Sequence, residues 1–131
     1  MAGDTTKLTL IVVPLEMVKD TSLRWSRESS AAHTEGRPHP GALHTFLNED
    51  SLWDAITPKR LALLKAIGGR GPMSIRHAAR LADRDVKAVH GDIQKLIEKR
   101  LIEKTEDGKI EFPYSEIHLD VVLKADQNAA A

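Results

Sequence analysis

The run from Thr57 to Phe112 is punctuated so densely by caps, glycines and prolines that few element orders are open to it. Thr57-Pro58 offers a helix N-cap followed by proline at the first helical position, where the missing N–H costs nothing. Ile56 and Leu61 hold the staple positions around that cap. Leu61, Leu64, Ala66 and Ile67 follow with helical spacing, and Gly68-Gly69-Arg70-Gly71-Pro72 ends the helix. Ser74 caps a second, short helix reaching about Leu81, with a small apolar face of Ile75, Ala78, Ala79 and Leu81. After the turn Ala82-Asp83-Arg84, Asp85 caps a third helix in which Val86, Val89, Ile93, Leu96 and Ile97 recur at three- and four-residue steps. Ile102 to Thr105, the turn Glu106-Asp107-Gly108-Lys109, and the stretch from Lys109 to Phe112 read as a β-hairpin closed by Pro113.

Helix, Gly-Pro turn, short helix, tight turn, long helix and hairpin is the order of a winged helix-turn-helix, so the expected fold class is α+β. Extra elements flank it. Leu8 to Val13 reads as a strand stopped by Pro14, and Leu15 to Trp25 as a helix. Ser26 to Gly41 has the composition of a loop. Leu43, Phe46, Leu47, Leu52, Trp53 and Ile56 suggest a helix or a broken pair of helices, and Ile117 to Leu123 alternates as a half-buried strand before a frayed Ala-rich end. The expected organisation is an N-terminal strand, helix and loop over residues 1–43, the winged helix over 44–113, and a C-terminal strand and tail over 114–131.

Formal net charge is zero, but its distribution is uneven. Thr57 to Phe112 holds 13 Lys and Arg against 8 Asp and Glu, leaving 6 basic and 11 acidic residues outside it. A basic centre between acidic ends suits a nucleic-acid partner. The absence of cysteine excludes disulfides and thiolate chemistry. No apolar run is long enough to span a bilayer or to serve as a signal peptide, so the chain is expected to be soluble and cytoplasmic, with no membrane partner. His33, His39 and His44 match no metal-ligand spacing, no phosphate-loop or catalytic triad pattern appears, and the expectation is of a non-enzyme without cofactor or metal.

Acidic residues normally favour helix N-termini, yet the first turns of the three central helices carry Lys59 and Arg60, Arg76 and His77, and Lys87 beside Arg84. Phosphate explains such a choice, because helix-start N–H groups and nearby cations both favour an anion. The phosphate contacts expected on duplex DNA are therefore Lys59, Arg60, Ser74, Arg76 and Lys95, with Lys104 and Lys109 flanking the wing turn. Helical geometry turns Lys87, Ala88, Gly91, Lys95 and Glu98 away from the apolar side of the third helix, with His90 and Gln94 at the border. A recognition helix reads base edges with its N-terminal half, which selects Arg84, Lys87, Ala88, His90 and Gly91. Gly91 fits close backbone approach to DNA, and fits an incidental surface glycine equally well.

The chain resembles the winged-helix transcriptional regulators of bacteria and archaea related to the MarR-like superfamily. The residues that carry this are Leu52-Trp53, Thr57-Pro58-Lys59-Arg60-Leu61, Gly71-Pro72-Met73-Ser74-Ile75-Arg76, Arg84-Asp85-Val86-Lys87 with Val89-His90, and Leu101 to Gly108, extended by Phe112-Pro113-Tyr114 and Glu116-Ile117-His118. The resemblance implies a DNA-binding regulator, an autoregulatory repressor or the antitoxin of a toxin-antitoxin pair, with Arg76, Arg84, Lys87 and His90 on or near the reading surface. Asp83, where such turns often hold glycine, and Gly91 depart from the pattern. In the antitoxin version the segment from Leu15 to Asp50 is expected to face the toxin. A winged helix used only for protein contact is the alternative. A homodimer is expected, built by Leu8, Leu10, Val12, Ile117, Leu119, Val121 and Leu123, unless the two outer strands pair within one chain.

Overall fold

The computed structural model describes residues 7–125 and has a mixed α+β architecture. In chain order the elements are β1 (Lys7–Val12), α1 (Leu15–Glu35), β2 (Ala42–Phe46), α2 (Glu49–Ala55), α3 (Pro58–Ile67), α4 (Ile75–Ala82), α5 (Val86–Glu98), β3 (Glu103–Lys104), β4 (Ile110–Glu111) and β5 (Glu116–Asp120). The Ala-rich end, expected to fray, lies outside the described residues.

β1 is the middle strand of a three-stranded sheet ordered β2-β1-β5, and both its pairings are parallel. Register puts Leu8 between Ala42 and Ile117, and Leu10 between His44 and Leu119. Because side chains alternate across a strand, this row shares one face of the sheet, while Thr9, Leu43 and His118 share the other. Parallel strands need cover on both faces, since their crossovers lay helices there. α1 supplies one cover: Trp25 Nε1 donates to the carbonyl of Gly41 at 3.2 Å, and Trp25 and Ser29 line a shallow groove with Leu43. The central helices supply the other. Leu8, Leu10 and Phe46 belong to one continuous core cluster with Leu52, Leu63, Leu64, Ile67, Val89, Ile93, Leu96 and Phe112.

Local chemistry fixes the helix ends. Thr57 Oγ1 accepts from the Arg60 N–H at 3.2 Å, Ser74 Oγ from His77 at 3.1 Å, and Asp85 from Ala88 at 3.3 Å. All three are the N-caps the sequence predicts. The hairpin is shorter than its two apolar stretches, because Ile102 and Phe112 turn into the core instead of extending the ladder. Met73, just before α4, donates to and accepts from Ile110 of β4 at 2.9 and 2.8 Å, tying the start of α4 to the hairpin. At the end of α3, Gly68 lies under the C-terminal segment so closely that a Cβ would sit 2.5 Å from the Tyr114 carbonyl oxygen.

Four expectations are corrected. Ser26 to Gly41 is not a loop, since α1 runs on to Glu35 and closes with Gly36 at φ 71°, where the Arg37 N–H reaches back to the Ala32 carbonyl at 2.8 Å. Its sheet-facing stripe, Val18, Thr21, Trp25, Ser29 and Ala32, is one residue per turn and partly polar. Residues 1–43 do not stand apart, because the 43/44 boundary falls inside β2 and the core cluster runs across it. Leu8 and Leu10 are buried in their own chain, and β1, which also carries Val12, is paired on both edges, so the outer strands pair within the protomer and β1 has no free edge to offer a subunit contact. Val86 is 41% exposed at the first turn of α5 instead of packing with Val89.

Two helices close on residues other than glycine in the left-handed region, Asp83 at φ 53° after α4 and Arg100 at φ 62° after α5. Arg100 is exposed, and Leu101 N–H returns to the Leu96 carbonyl at 2.9 Å around it. An L side chain there costs on the order of 1 kcal/mol. Arg100→Gly is expected to raise the urea-unfolding free energy by about 0.5–1 kcal/mol, and Gly68→Ala to lower it by about 1–3 kcal/mol through the clash with Tyr114. The opposite signs separate backbone relief from overpacking in one experiment.

Candidate nucleic-acid interface

Six of the eight sequence-selected cations fall into two groups. Lys59, Arg76, Lys87 and Lys104 are exposed and form no ion pair among the described residues. Arg60 and Arg84 are committed inside the molecule. Arg60 Nε lies 3.2 Å from Asp92 Oδ1, and Arg84 Nη2 lies 2.8 Å from Asp92 Oδ2. Exposures of 17% for Arg60, 21% for Arg84 and 17% for Asp92 put this triad beneath the surface. Arg60 Nη1 also donates to the Asp54 carbonyl at 2.6 Å at the end of α2, where Lys99 Nζ pairs with the Asp54 carboxylate at 3.2 Å. That hydrogen bond and charge hold Asp54 below the usual carboxylate pKa.

The assignments of Arg84 to base reading and Arg60 to phosphate contact are therefore corrected. Both guanidiniums join elements to one another. Arg60 enters α3, Arg84 precedes α5, and Asp92 lies one turn and a half into α5, so a single carboxylate fixes the start of α5 relative to α3. Asp92 was not singled out from the sequence. Its signal was there: it is the only carboxylate in the first two turns of a helix whose neighbours are otherwise basic or apolar.

What α5 leaves outside is its N-terminal half. Val86, Lys87, Ala88, His90 and Gly91 are all exposed, with Val89 the buried anchor between them. His90, expected at the border, points outward. A Cβ built on Gly91 meets nothing within 4 Å, so no packing demand explains this glycine. On α4, His77 and Arg80 are exposed beside Arg76, and Arg80 follows Arg76 by four residues on the same helix face. Arg80 lies in the second turn of α4, beyond the first-turn positions where a cation stands out in the sequence. Ser74 spends its hydroxyl on the cap, and Lys95 is half-buried farther along α5.

The hairpin tip is a closed turn. Thr105 Oγ1 donates to Asp107 and accepts from the Lys109 N–H at 3.0 Å, while the Thr105 N–H donates to the Lys109 carbonyl at 2.8 Å. The Thr105 hydrogen bond lowers the Asp107 pKa and keeps it ionised. Lys109 Nζ sits 4.0 Å from Asp107, which offsets part of its charge. Of the two hairpin lysines, Lys104 is the one without such a neighbour.

Among His33, His39 and His44, His39 Nδ1 accepts from the Gly41 N–H at 2.9 Å. His44 is half-buried against Phe46 with its pKa lowered by burial, and His33 sits exposed near the end of α1. No helix is long and apolar enough to cross a membrane among the described residues. Asp92→Ala would strand two partly buried guanidiniums. It is expected to lower stability by about 2–3 kcal/mol, toward the low side for a broken buried pair because the site is partly wet, as read by urea denaturation.

Residues 55–119 match the model of the family described as HVO_A0114. The match starts at the last residue of α2 and ends inside β5, so it takes in α3, α4, α5 and the hairpin and leaves out β1, α1 and β2. No curated protein and no solved structure matches the chain.

Proposed function

We propose that the chain is a sequence-specific DNA-binding regulator, without enzymatic activity, whose residues 58–112 act as a winged helix-turn-helix. In this reading α5 enters the major groove, α4 crosses the backbone, and the β3-β4 hairpin is the wing. The observation that carries it is the exposed first half of α5, with Lys87 unpaired and Gly91 open, flanked by the unpaired cations Arg76 and Arg80 of α4. The Arg60–Asp92–Arg84 triad supports it from beneath, because a reading helix must be held rigidly to place side chains against base edges.

Roles follow from position. Lys87, Ala88, His90 and Gly91 meet bases, while Lys59, Arg76, Arg80 and Lys104 meet phosphate. Arg60 and Arg84 position the helix. The acidic tip at Glu106 and Asp107 restricts the wing to Lys104 at its base and disfavours deep minor-groove insertion. An autoregulatory repressor fits such a reader, since occupying an operator over its own promoter needs no further chemistry. A toxin partner is a second layer of the same proposal and rests on the family resemblance.

Fluorescence anisotropy on operator and random duplexes tests this reading. Lys87→Ala is expected to weaken specific binding by about 1–3 kcal/mol and to relax preference, whereas Lys59→Ala weakens all duplexes alike and lowers the salt slope. Gly91→Glu is expected to keep the fold, because a side chain there meets open space, and to abolish binding. A Gly91→Glu protein that still binds operator would move the groove-facing surface off α5. Salt-independent behaviour on duplex DNA would favour the protein-contact alternative.

A further inference from the structure

We infer that the free edge of β5 is a homodimer interface, formed by antiparallel pairing with β5 of a second copy about a two-fold axis through Leu119. Among the described residues β5 is an outer strand of the sheet, paired only with β1; it carries neither proline nor lysine, and its charged residues Glu116 and Asp120 stand on the face away from Ile117 and Leu119. Leu119 is 45% exposed, and beyond the strand Val122 and Leu123 are 75% and 60% exposed. Beside this edge lies a largely apolar groove of about 190 Å³ between α3 and β5, whose lining includes Leu61, Leu64, Ile117 and Leu119 together with Lys65 and Ser115. Among the described residues an unpaired edge, an open groove and an exposed apolar segment meet at one place.

Complementarity selects a second copy as the occupant. With the axis at Leu119, antiparallel register sets Leu119 against itself and Ile117 against Val121 of the other copy, so apolar side chains meet over the groove face. On the opposite face the same register sets His118 against Asp120 twice, an N–H donor facing a carboxylate in both halves. Shifting the axis by one residue to Asp120 would oppose two carboxylates, and a shift to His118 would set Glu116 against Asp120; both are disfavoured directly across a strand pair. The chosen register also carries Leu123 of one copy over Ser115 and the mouth of the other's groove. Two three-stranded sheets then become one continuous sheet, and both partners use the same patch, as closed two-fold association requires.

This inference does not depend on DNA binding, and it revises the expected interface: Ile117, Leu119, Val121 and Leu123 remain in it, whereas Leu8, Leu10 and Val12 do not. Sedimentation equilibrium of the full chain without DNA tests it. The wild type is expected to be a dimer at about 10 µM, and Leu119→Lys to raise the dimer dissociation constant about a hundredfold with an unchanged far-UV circular dichroism spectrum. Register is tested by cysteine pairing in a chain that has none of its own. Leu119→Cys should form a covalent dimer under mild oxidation. Ile117→Cys alone should not, but should cross-link when mixed with Val121→Cys, because facing Cβ atoms lie about 5 Å apart. A wild type that is monomeric at that concentration, open-ended higher oligomers, or a Leu119→Cys protein that stays uncross-linked would overturn the interface. A dimer that ignores DNA would overturn only the regulator reading.

Discussion

A parallel strand cannot leave a face to water, and β1, paired on both edges, is the strand on which this requirement falls. Satisfying it determines where everything else goes. One face takes α1, through a stripe barely one residue wide, and the other takes the core shared by Leu8, Leu10 and Phe46 with α2, α3 and α5. The three-helix unit with its hairpin is therefore not a free module on a tether. Its α3 shares the apolar cluster with Leu8 and Leu10 of β1, and β5, which follows the hairpin, returns to pair with that same strand. Any movement of α5 relative to the sheet has to pass through that single apolar cluster.

Within this frame the charges divide by burial. Thirteen Lys and Arg between Thr57 and Phe112 look uniform along the sequence. In space, Arg60 and Arg84 are withdrawn to bind Asp92, while Lys59, Arg76, Arg80 and Lys87 stay outside. Taking two guanidiniums and a carboxylate partly out of water costs desolvation that the ion pairs only offset, so the triad adds little net stability over an apolar packing. What it contributes is geometry: the bidentate carboxylate ties α3, the α4–α5 turn and α5 into one relation. A triad that specifies orientation is of most use beneath a surface whose side chains must meet a ligand in register.

The elements that were legible in the sequence are those whose signals are local. Thr57, Ser74 and Asp85 each announce a cap, Gly68 announces a stop, and Val89, Ile93 and Leu96 announce a buried stripe; all of these stand where composition and spacing put them. The second half of α1 was illegible because its buried side is Ser29 and Ala32, which carry no apolar periodicity, while its exposed side resembles a loop in composition. Only Gly36 after Glu35 hinted at a helix end. β2 was read as helical since Leu43 and Phe46 are three residues apart, yet they point to opposite faces of a strand. The two arginines of the triad were misassigned for another reason: no single-sequence pattern tells a surface cation from one whose partner lies far along the chain.

The zero net charge gains meaning from this placement. The described acidic side chains outside the central run sit on α1, α2 and β5, and Asp20, Glu28, Glu35 and Asp54 among them are already paired with Arg24, Arg37 and Lys99. Charge neutralised in place on α1 and α2 leaves the exposed cations of α4 and α5 to dominate the field an anion would meet at that surface. Electrostatics of this kind contributes discrimination between faces more than affinity. Affinity then has to come from footprint, and a lone α5 supplies little of it. In the proposed function a second α5 on the same rigid body would supply the rest, which is why the free edge of β5 matters to that proposal as much as α5 itself.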